Sequence, residues 1–340
     1  MKKNISLVIP ALSSSFYIED FLINVLFWSA HPSEIILVNT SNKNYIIDKY
    51  IQKKFKKKKI DLKIIYKKNF YPGAARNIGI KYSKHKYIVF LDMNTLPYNK
   101  EWLKINYEYI VKNNLDGLCG QTIYLANNYI EKVVRASTYG KDSLRTIPGS
   151  IFKKKVVEKV GKFDVKSRAG EDTDWLRRLD KFRFKINDSV EPIFYKGLFN
   201  TDYIFIIKKW FRNYYFSSNL PHLQNQKNFY FLILFIIFFF IVFNWNYSSL
   251  CLNTSLYLKY NCGFYIPHIT KIFLLISSLS YFTYRGIIMP LKKKVELNFL
   301  FPYGFLFVTF FSFILDLAKS TTFLALIFSK LSHLRLKIIK

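Results

Sequence analysis

The sequence predicts an α/β domain with a parallel sheet, followed by an α-helical membrane region. Short apolar runs that suit buried strands alternate with helical patterns over roughly the first 200 residues, an alternation typical of parallel sheets. Uncharged apolar runs follow, such as FYFLILFIIFFFIVF at 229–243, which with its flanks reaches the roughly 20 residues that cross a bilayer. We therefore expect a catalytic or binding domain at 1–202, an interfacial amphipathic segment at 203–227 and a transmembrane region at 228–340.

The chain opens with a predicted strand, helix and strand. ISLVIP at 5–10 suits a buried strand, and EIILV at 34–38 suits a second. Between them lies a helical pattern of apolar residues, namely Phe21, Leu22, Val25 and Leu26. The N-terminal run breaks at Pro10 and is too short for a signal peptide, so we expect the first domain to stay in the cytosol.

A second unit of the same kind leads to an acidic residue. DLKIIY at 61–66 is a predicted strand, GAARNIGIKYS a predicted helix, and KYIVFLD at 86–92 the next strand. FKKKK at 55–59 is interpreted as a solvated helix end or loop. In parallel sheets ligands bind at the carboxyl ends of the strands, and Asp92 lies at such an end.

The rest of the first domain contains a strand, a further strand and helix, and an acidic helix start. GLCGQTIYL at 117–125 suits a strand, and PGSIFKKKVVEKVGKFD suits a strand and a helix that ends at Gly161. In GEDTDWLRRLDKFRF either Asp172 or Asp174 can cap a helix whose apolar face is buried. Arg177 and Arg178 are expected on its outer face.

The net charge of +30 suggests an anionic partner. Nucleic acid is disfavoured because the lysines accompany a general excess of Ile, Asn, Phe and Tyr and show no recognition-helix or stacking motif. Attraction to anionic lipid headgroups explains the charge better. The three cysteines have no metal-ligand spacing, although Cys251 and Cys262 could form a bridge in a loop outside the membrane.

The C-terminal region contains one interfacial and three crossing segments. YIFIIKKWFRNYYFSSNL at 203–220 mixes aromatic and basic residues, and Trp210 and Arg212 are its candidate acceptor or interface residues. Crossings are predicted at about 228–246, 264–284 and 298–316. A loop with Arg285 and three lysines belongs in the cytosol by the positive-inside rule. The basic tail then requires either that TTFLALIF at 321–328 turns back or that the third segment is re-entrant.

Five motifs in order resemble the family-2 glycosyltransferases, whose catalytic domain has the GT-A fold, a Rossmann-like nucleotide-diphospho-sugar transferase fold. SLVIPAL is similar to the opening strand, PGAARNIGI to the donor-site loop, YIVFLDMNT to the Asp-x-Asp strand end, VGKFD to the acceptor-side turn and GEDTDWLRR to the Glu-Asp base motif. The resemblance covers roughly residues 4–200. It implies inverting transfer from a nucleotide-diphosphate sugar to a membrane-associated acceptor, lipid-linked or an envelope polysaccharide, at the inner membrane with the catalytic domain in the cytosol.

The resemblance implies a donor site with a divalent cation, Mg²⁺ or Mn²⁺. Asp92 is the candidate charged ligand, and Asn94, which stands where the family has a second acid, can offer only a neutral oxygen. Asp92 could instead be a strand-end turn former. Gly73 would let the backbone approach the phosphates, and Arg76 would pair with them, although a plain turn and helix start gives the same pattern.

The resemblance also assigns donor binding to the first two strands. Pro10 and Leu12 lie at the end of the opening strand. The second strand of the family runs into an acidic pair that holds the nucleoside, whereas this chain offers Asn39 and Ser41, whose hydrogen bonds would have to replace that contact.

For the general base the resemblance selects Asp172, with Glu171 beside it. Adjacent carboxylates repel and raise the pKa of one of them, whereas a helix N-terminus lowers it, and the sequence does not decide between these effects. Two alternatives to the enzyme remain: a non-catalytic relative that acts as a membrane scaffold, and a processive polysaccharide synthase. The second is disfavoured because KKWFR at 208–212 is not the Gln-x-x-Arg-Trp motif of such synthases.

Overall fold

The computed structural model describes residues 2–11, 15–41, 46–195, 203–217, 220 and 269–332, with isolated positions between 228 and 239. The chain divides into two compact units. The first comprises Met1–Arg135 and Lys141–Asp202, and the second comprises Ala136–Gly140 and Tyr203–Lys340. We call them the sheet unit and the helical unit.

The described residues of the sheet unit form a nine-stranded sheet in the order β3-β2-β1-β4-β7-β6-β9-β5, with β8 paired to β6. The strands are β1 (Lys2–Ala11), β2 (His31–Asn39), β3 (Asp61–Tyr66), β4 (Tyr87–Phe90), β5 (Thr95–Leu96), β6 (Gly117–Tyr124), β7 (Leu144–Lys153), β8 (Ile186–Asp188) and β9 (Ile193–Tyr195). The predicted α/β class is confirmed.

The direction of the strands agrees with the sequence prediction only in the first half of the sheet. Strands β1 to β4 are parallel, whereas β7 runs antiparallel to both β4 and β6. The parallel arrangement predicted from the first four strands is confirmed, and the sheet as a whole is mixed. An apolar run predicts that a strand is buried, but it does not predict the strand's direction.

Helices cover both faces of the sheet. They are α1 (Ser15–Leu26), α2 (Lys49–Lys57), α3 (Pro72–Tyr82), α4 (Trp102–Lys112), α5 (Tyr129–Ser137), α6 (Lys154–Val160) and α7 (Glu171–Leu179). Side chains alternate across β1, so that Leu7 joins the core with Phe21 of α1 and Trp102 of α4. Val8 faces the other way and joins the core with Ala75 of α3 and Trp175 of α7.

The helical unit contains α8 (Tyr203–Ser217), α9 (Ile269–Thr283), a π-helix (Tyr284–Ile288), α10 (Met289–Lys292), α11 (Leu297–Leu300) and α12 (Gly304–Ser332). Among the described residues, two helical stretches are long and apolar enough to cross a membrane, Lys271–Lys292 and Gly304–Thr322. These stretches are compatible with membrane association.

The structure changes three details of the predicted membrane region. Arg285 lies within the helical stretch, not in a loop, because the helix continues through the π-helix to Lys292. Helix α12 begins later than predicted and runs without a break through 321–328, so TTFLALIF does not turn back. Most of the predicted crossing at 228–246, together with Cys251 and Cys262, lies outside the described residues.

Candidate active site

The carboxyl ends of the parallel strands bring the predicted donor residues to one edge of the sheet. Ala11, the last residue of β1, pairs with Asn39, the last residue of β2. Val8 pairs with Phe90, and the amide of Leu91 donates to the carbonyl of Val8 over 3.2 Å. Asp92 therefore leaves the sheet beside the end of β1.

Asp92 is fixed by a threonine that the sequence analysis did not identify. The amide of Asp92 donates to Oγ1 of Thr95 over 2.9 Å, and the amide of Thr95 donates to the carbonyl of Asp92 over 2.9 Å. The Asp92 side chain remains 34% exposed. Asn94 lies in the turn between these residues and is exposed.

Helix α3 packs closely against the turn at residues 163 and 164. A Cβ atom on Gly73 would overlap the carbonyl oxygen of Asp164 and would also contact Glu171, so only glycine fits at this approach. Asn77 exchanges two hydrogen bonds of 2.9 Å with the backbone of Phe163. These contacts hold α3 at a fixed distance from the segment that leads into α7.

Helix α7 begins at Glu171, and its N-cap is Gly170 with a φ of 88°. The prediction that Asp172 or Asp174 caps the helix is therefore wrong, because both lie inside its first turn. Trp175 is buried, stacks on Phe163 with ring centres 5.1 Å apart and donates to the carbonyl of Gly161 over 2.9 Å. The indole anchors the acidic turn to the core.

The apolar pattern predicted that Arg178 lies on the outer face of α7, but the structure places it against the turn that ends α6. Its guanidinium donates to the carbonyls of Val160 and Lys162, each over 2.8 Å, and its Nε pairs with Asp174 at 3.0 Å. Arg178 thus ties α7 to the turn that ends α6, and Asp174 holds Arg178.

Arg76 joins three of the predicted site carboxylates, and we call this group the Arg76 cluster. Its Nη1 donates to Glu171 over 2.9 Å and to Asp172 over 2.5 Å. Its Nη2 donates to the two carboxylate oxygens of Asp92 over 2.9 and 3.2 Å. The Arg76 side chain is 1% exposed, and its guanidinium lies 5.6 Å from the ring centre of Phe163.

The cluster changes the proton affinity of its members. Burial opposes the charged form of Arg76, but the charges of Asp172, Asp92 and Glu171 outweigh it and raise its pKa. Burial raises the pKa of Glu171, and the neighbouring Asp172 raises it further against the opposing effect of Arg76. The pKa of Asp172 is raised as well, chiefly by burial.

Two other predicted donor residues, Asn39 and Pro10, lie near the carboxyl ends of β2 and β1. Asn39 is fully buried, and its side-chain oxygen accepts hydrogen bonds of 2.9 and 2.7 Å from the amide and hydroxyl of Ser41. Pro10 is half-buried near the end of β1, and Leu12 lies outside the described residues. A cavity of about 520 Å³ between α2 and β3 is lined by none of the predicted site residues.

The predicted acceptor or interface residues belong to the helical unit. Trp210 and Arg212 are half-buried on α8. The ring centre of Trp210 lies 5.7 Å from that of Tyr139 and 6.2 Å from that of Tyr214. Arg212 precedes this second tyrosine by two residues on the same helix.

Comparison with known proteins gives a family match in the N-terminal half of the chain. Residues 6–161 match the model of glycosyl transferase family 2. A glycosyltransferase of Rickettsia conorii, described as uncharacterized, is 33% identical over 38% of this chain, but the match spans only 21% of that protein. One from Methanocaldococcus jannaschii, also described as uncharacterized, is 28% identical over 57% of this chain and 70% of its own length.

A likeness among solved structures extends the comparison to a protein with bound ligands. A mannosyltransferase from Pyrobaculum calidifontis, solved with GDP-Man and Mn²⁺, is 12% identical. The likeness covers 63% of this chain and 61% of that one, with a TM-score of 0.43.

Proposed function

We propose that the protein transfers a sugar from a nucleotide-diphosphate sugar to a membrane-associated acceptor, because residues 6–161 match glycosyl transferase family 2 and the sheet unit has a mixed α/β sheet like that of the GT-A fold. The reaction would proceed by a single displacement that inverts the anomeric carbon. A lipid-linked glycan or an envelope polysaccharide is the proposed acceptor. The active domain would lie in the cytosol at the inner membrane, with the helical unit as its anchor.

The observation that carries the proposal is the Arg76 cluster. One guanidinium contacts Asp92, the candidate donor-side residue, and Asp172, the candidate base, although these residues are far apart in the sequence. A displacement reaction needs the leaving group and the attacking hydroxyl close together. Groups that serve the two ends of the reaction are therefore expected to share a neighbour, as these two do.

Asp172 suits the role of general base better than Glu171. Its side chain is 29% exposed, whereas that of Glu171 is 6% exposed and packs beside Gly73. A base must be within reach of the acceptor hydroxyl. In the proposed step Asp172 takes the hydroxyl proton, the hydroxyl oxygen bonds to the anomeric carbon, and the nucleoside diphosphate leaves with the electrons of the broken bond.

The contacts of Arg76 support the role of a positioning residue more directly than that of a phosphate ligand. Both of its terminal nitrogens are engaged by carboxylates, so it holds Asp92 and Asp172 in place. Pairing of Arg76 with the donor phosphates stays a prediction. Asn39 and Ser41, already hydrogen-bonded to each other at the end of β2, are proposed to meet the nucleoside.

The cluster fits a divalent cation by its charge. Three carboxylates face one guanidinium, so the fully ionised group carries a surplus of two negative charges. Among the described residues no group of three or more acidic, histidine or cysteine side chains could hold a metal ion. We propose that Asp92 holds Mg²⁺ or Mn²⁺, with Asn94 as a weaker neighbour, and that the donor diphosphate supplies the remaining ligands. When bound, the cation would neutralise charge on the leaving diphosphate.

The test is a transfer assay with the full-length protein, nucleotide sugars and membrane lipids. Wild-type protein should release nucleoside diphosphate from one donor, and Asp172→Asn should lower turnover by about a hundredfold or more, because general base catalysis contributes this much. Donor affinity should survive, since the base acts on the acceptor. Asp174→Asn is the matched control, because Asp174 lies on the same turn but pairs with Arg178.

Two outcomes would contradict the proposal. Equal turnover by wild type and Asp172→Asn would remove Asp172 from the chemistry. Absence of nucleoside diphosphate release with every nucleotide sugar, in protein that still binds one of them, would favour the non-catalytic scaffold.

A further inference from the structure

A second cluster of charged side chains lies in the helical unit, within stretches that are otherwise apolar. Nε of Arg285 lies 2.8 Å from one carboxylate oxygen of Asp316, and its Nη2 lies 3.2 Å from the other. Nζ of Lys319 lies 2.9 Å from the same carboxylate, and the hydroxyl of Tyr281 donates to it over 2.9 Å. We call these four residues the Asp316 cluster.

The cluster is mostly enclosed by the helices. The side chains of Arg285, Asp316 and Lys319 are 12%, 16% and 14% exposed. Nζ of Lys319 also lies 5.0 Å from the ring centre of Tyr214 on α8. A charged side chain within an apolar helix is costly unless it is compensated, and such residues commonly mark binding or transport sites.

The backbone at the cluster is shaped for close helix approach. Arg285 is the second residue of the π-helix, and π-helical turns occur frequently at functional sites. A Cβ on Gly286 would overlap the Thr309 hydroxyl of α12, so glycine permits the two helices to meet there. The two elements that supply the charged side chains are thus held together just beside the cluster.

Lys293 adds a further positive charge at the end of the same helix. Its Nζ donates to the carbonyl of Thr138. Burial, followed by the like charges of Arg285 and Lys319, lowers the pKa of Lys293 to about 8 against the opposing effect of Asp316. Lys293 therefore shares the electrostatic environment of the cluster.

The charges of these groups do not balance. Arg285, Lys293 and Lys319 carry three positive charges, and Asp316 carries one negative charge. From Tyr203 to Lys340 the sequence contains only two acidic residues, Glu296 and Asp316, and Glu296 is exposed. Among the described residues of the helical unit, Asp316 is therefore the only carboxylate that is not exposed.

We propose that the Asp316 cluster and Lys293 form a binding site for a phosphate group, with an anionic membrane lipid as its natural source. A guanidinium and two ammonium groups match the donors that bind phosphate oxygens. Basic pockets between helices near a membrane surface bind anionic headgroups in the same way. Asp316 would orient Arg285 and Lys319 while the phosphate compensates the remaining charge. The inference does not rest on glycosyl transfer.

The test measures lipid binding by the full-length protein in neutral detergent, with phosphatidic acid as the probe. The variant Lys293→Gln/Lys319→Gln should weaken binding roughly thirtyfold, the effect of two basic residues near an anionic headgroup. Lys271→Gln/Lys292→Gln is the matched control, because it removes the same charge from exposed positions of the same helical stretch. It should change affinity less than about twofold. Lys293→Arg/Lys319→Arg keeps the charge and should retain binding, which tests the site even if the glutamine variant is unstable.

A second arm separates the sources of the phosphate. Glycerol 3-phosphate in solution should compete poorly if the ligand is a lipid, and it should displace phosphatidic acid at similar concentration if the ligand is a soluble phosphate ester. Poor competition supports the proposal, whereas displacement at similar concentration keeps the phosphate site but overturns the lipid as its source. The proposal is overturned if wild-type protein binds neither probe. It is also overturned if both glutamine variants lose the same affinity, because the lipid would then be attracted by the general surface charge and not by a specific site.

Discussion

The two units of the molecule contain ion clusters of opposite composition. In the sheet unit one buried cation, Arg76, contacts three carboxylates. In the helical unit one carboxylate, Asp316, contacts two cations, with a third charge at Lys293 nearby. An ion removed from water attracts opposite charges, and any surplus that remains favours a ligand of the missing sign. On the two proposals above, the first cluster would therefore attract a cation and the second an anion.

Removal of the shared partner is expected to have the largest effect. Arg76→Met leaves three carboxylates without their counter-charge and should lower the free energy of unfolding by about 3–5 kcal/mol, with loss of transfer. The mirror variant, Asp316→Asn, should destabilise the protein less, because Asp316 is 16% exposed and Arg76 only 1%. The measurement is the thermal unfolding midpoint of the full-length protein in detergent.

Arg177→Met provides the control for the arginine substitution. Arg177 is exposed in the last turn of α7, the helix that also carries Glu171 and Asp172, and its loss should change stability by less than about 0.5 kcal/mol. If Arg76→Met unfolds at the wild-type temperature, the carboxylates are protonated or relaxed in solution and the contacts of Arg76 do not organise the site.

The sequence predicted the members of the first cluster better than their contacts. Asp92, Asp172 and Glu171 could be chosen because each follows a recognisable local pattern, a strand end or an acidic helix start. Arg76 was assigned to the donor phosphates, because the sequence does not reveal that α3 and α7 meet at Gly73. The contacts of Arg76 join residues up to 96 positions apart, so they depend on the tertiary fold.

The second cluster was missed for a different reason. Asp316 lies in the apolar segment 298–316, where one acid barely changes the average hydropathy that predicts a crossing. Arg285 was placed in a loop with the lysines because the pattern does not show that the helix continues through a π-helix. The antiparallel direction of β7 could not be predicted from the sequence pattern either. In each case the missing information was the partner element and not the residue type.

The two glycines at the helix contacts offer a finer comparison. Gly73→Ala forces a Cβ against the backbone carbonyl of Asp164, and this carbonyl cannot move unless the whole turn moves. The substitution should therefore lower the free energy of unfolding by about 1–3 kcal/mol. Gly286→Ala overlaps mainly the Thr309 hydroxyl, which can rotate away if it gives up its bond to Phe305, and it meets the backbone carbonyl oxygen of Phe305 less closely, at 3.0 Å. We expect the smaller loss of thermal stability for Gly286→Ala. A larger loss would show that the helical unit is packed more rigidly than the sheet unit.

A metal titration sharpens the comparison at the donor side. Asn94→Asp places a second carboxylate in the exposed turn beside Asp92, and should lower the Mg²⁺ or Mn²⁺ concentration for half-maximal transfer roughly fivefold. Asn113→Asp, which adds the same charge at an exposed helix end, should leave it unchanged. Wild-type transfer that persists fully in excess chelator would exclude a metal at Asp92.

The smallest expected effect separates the two adjacent carboxylates. The pKa of Glu171 is raised to about 8, first by burial and then by Asp172, so at neutral pH Glu171 is expected to carry its proton. Glu171→Gln resembles that protonated form and keeps an oxygen that can accept the hydrogen bond from Arg76. Transfer at neutral pH should therefore stay within about threefold of wild type, in contrast to the loss in Asp172→Asn.

The same substitution should alter the pH dependence of stability, with a definite sign. An acid whose pKa is raised by folding from its usual 4.5 binds more protons in the folded than in the unfolded state between pH 4.5 and about 8. Its contribution to stability is therefore present at low pH and is lost as the pH rises through this window. The unfolding midpoint of wild type should fall relative to that of Glu171→Gln between these pH values, and the difference should level off above them. A constant difference across the window would show that Glu171 is already ionised and that the negative surplus beside Arg76 is the full two charges.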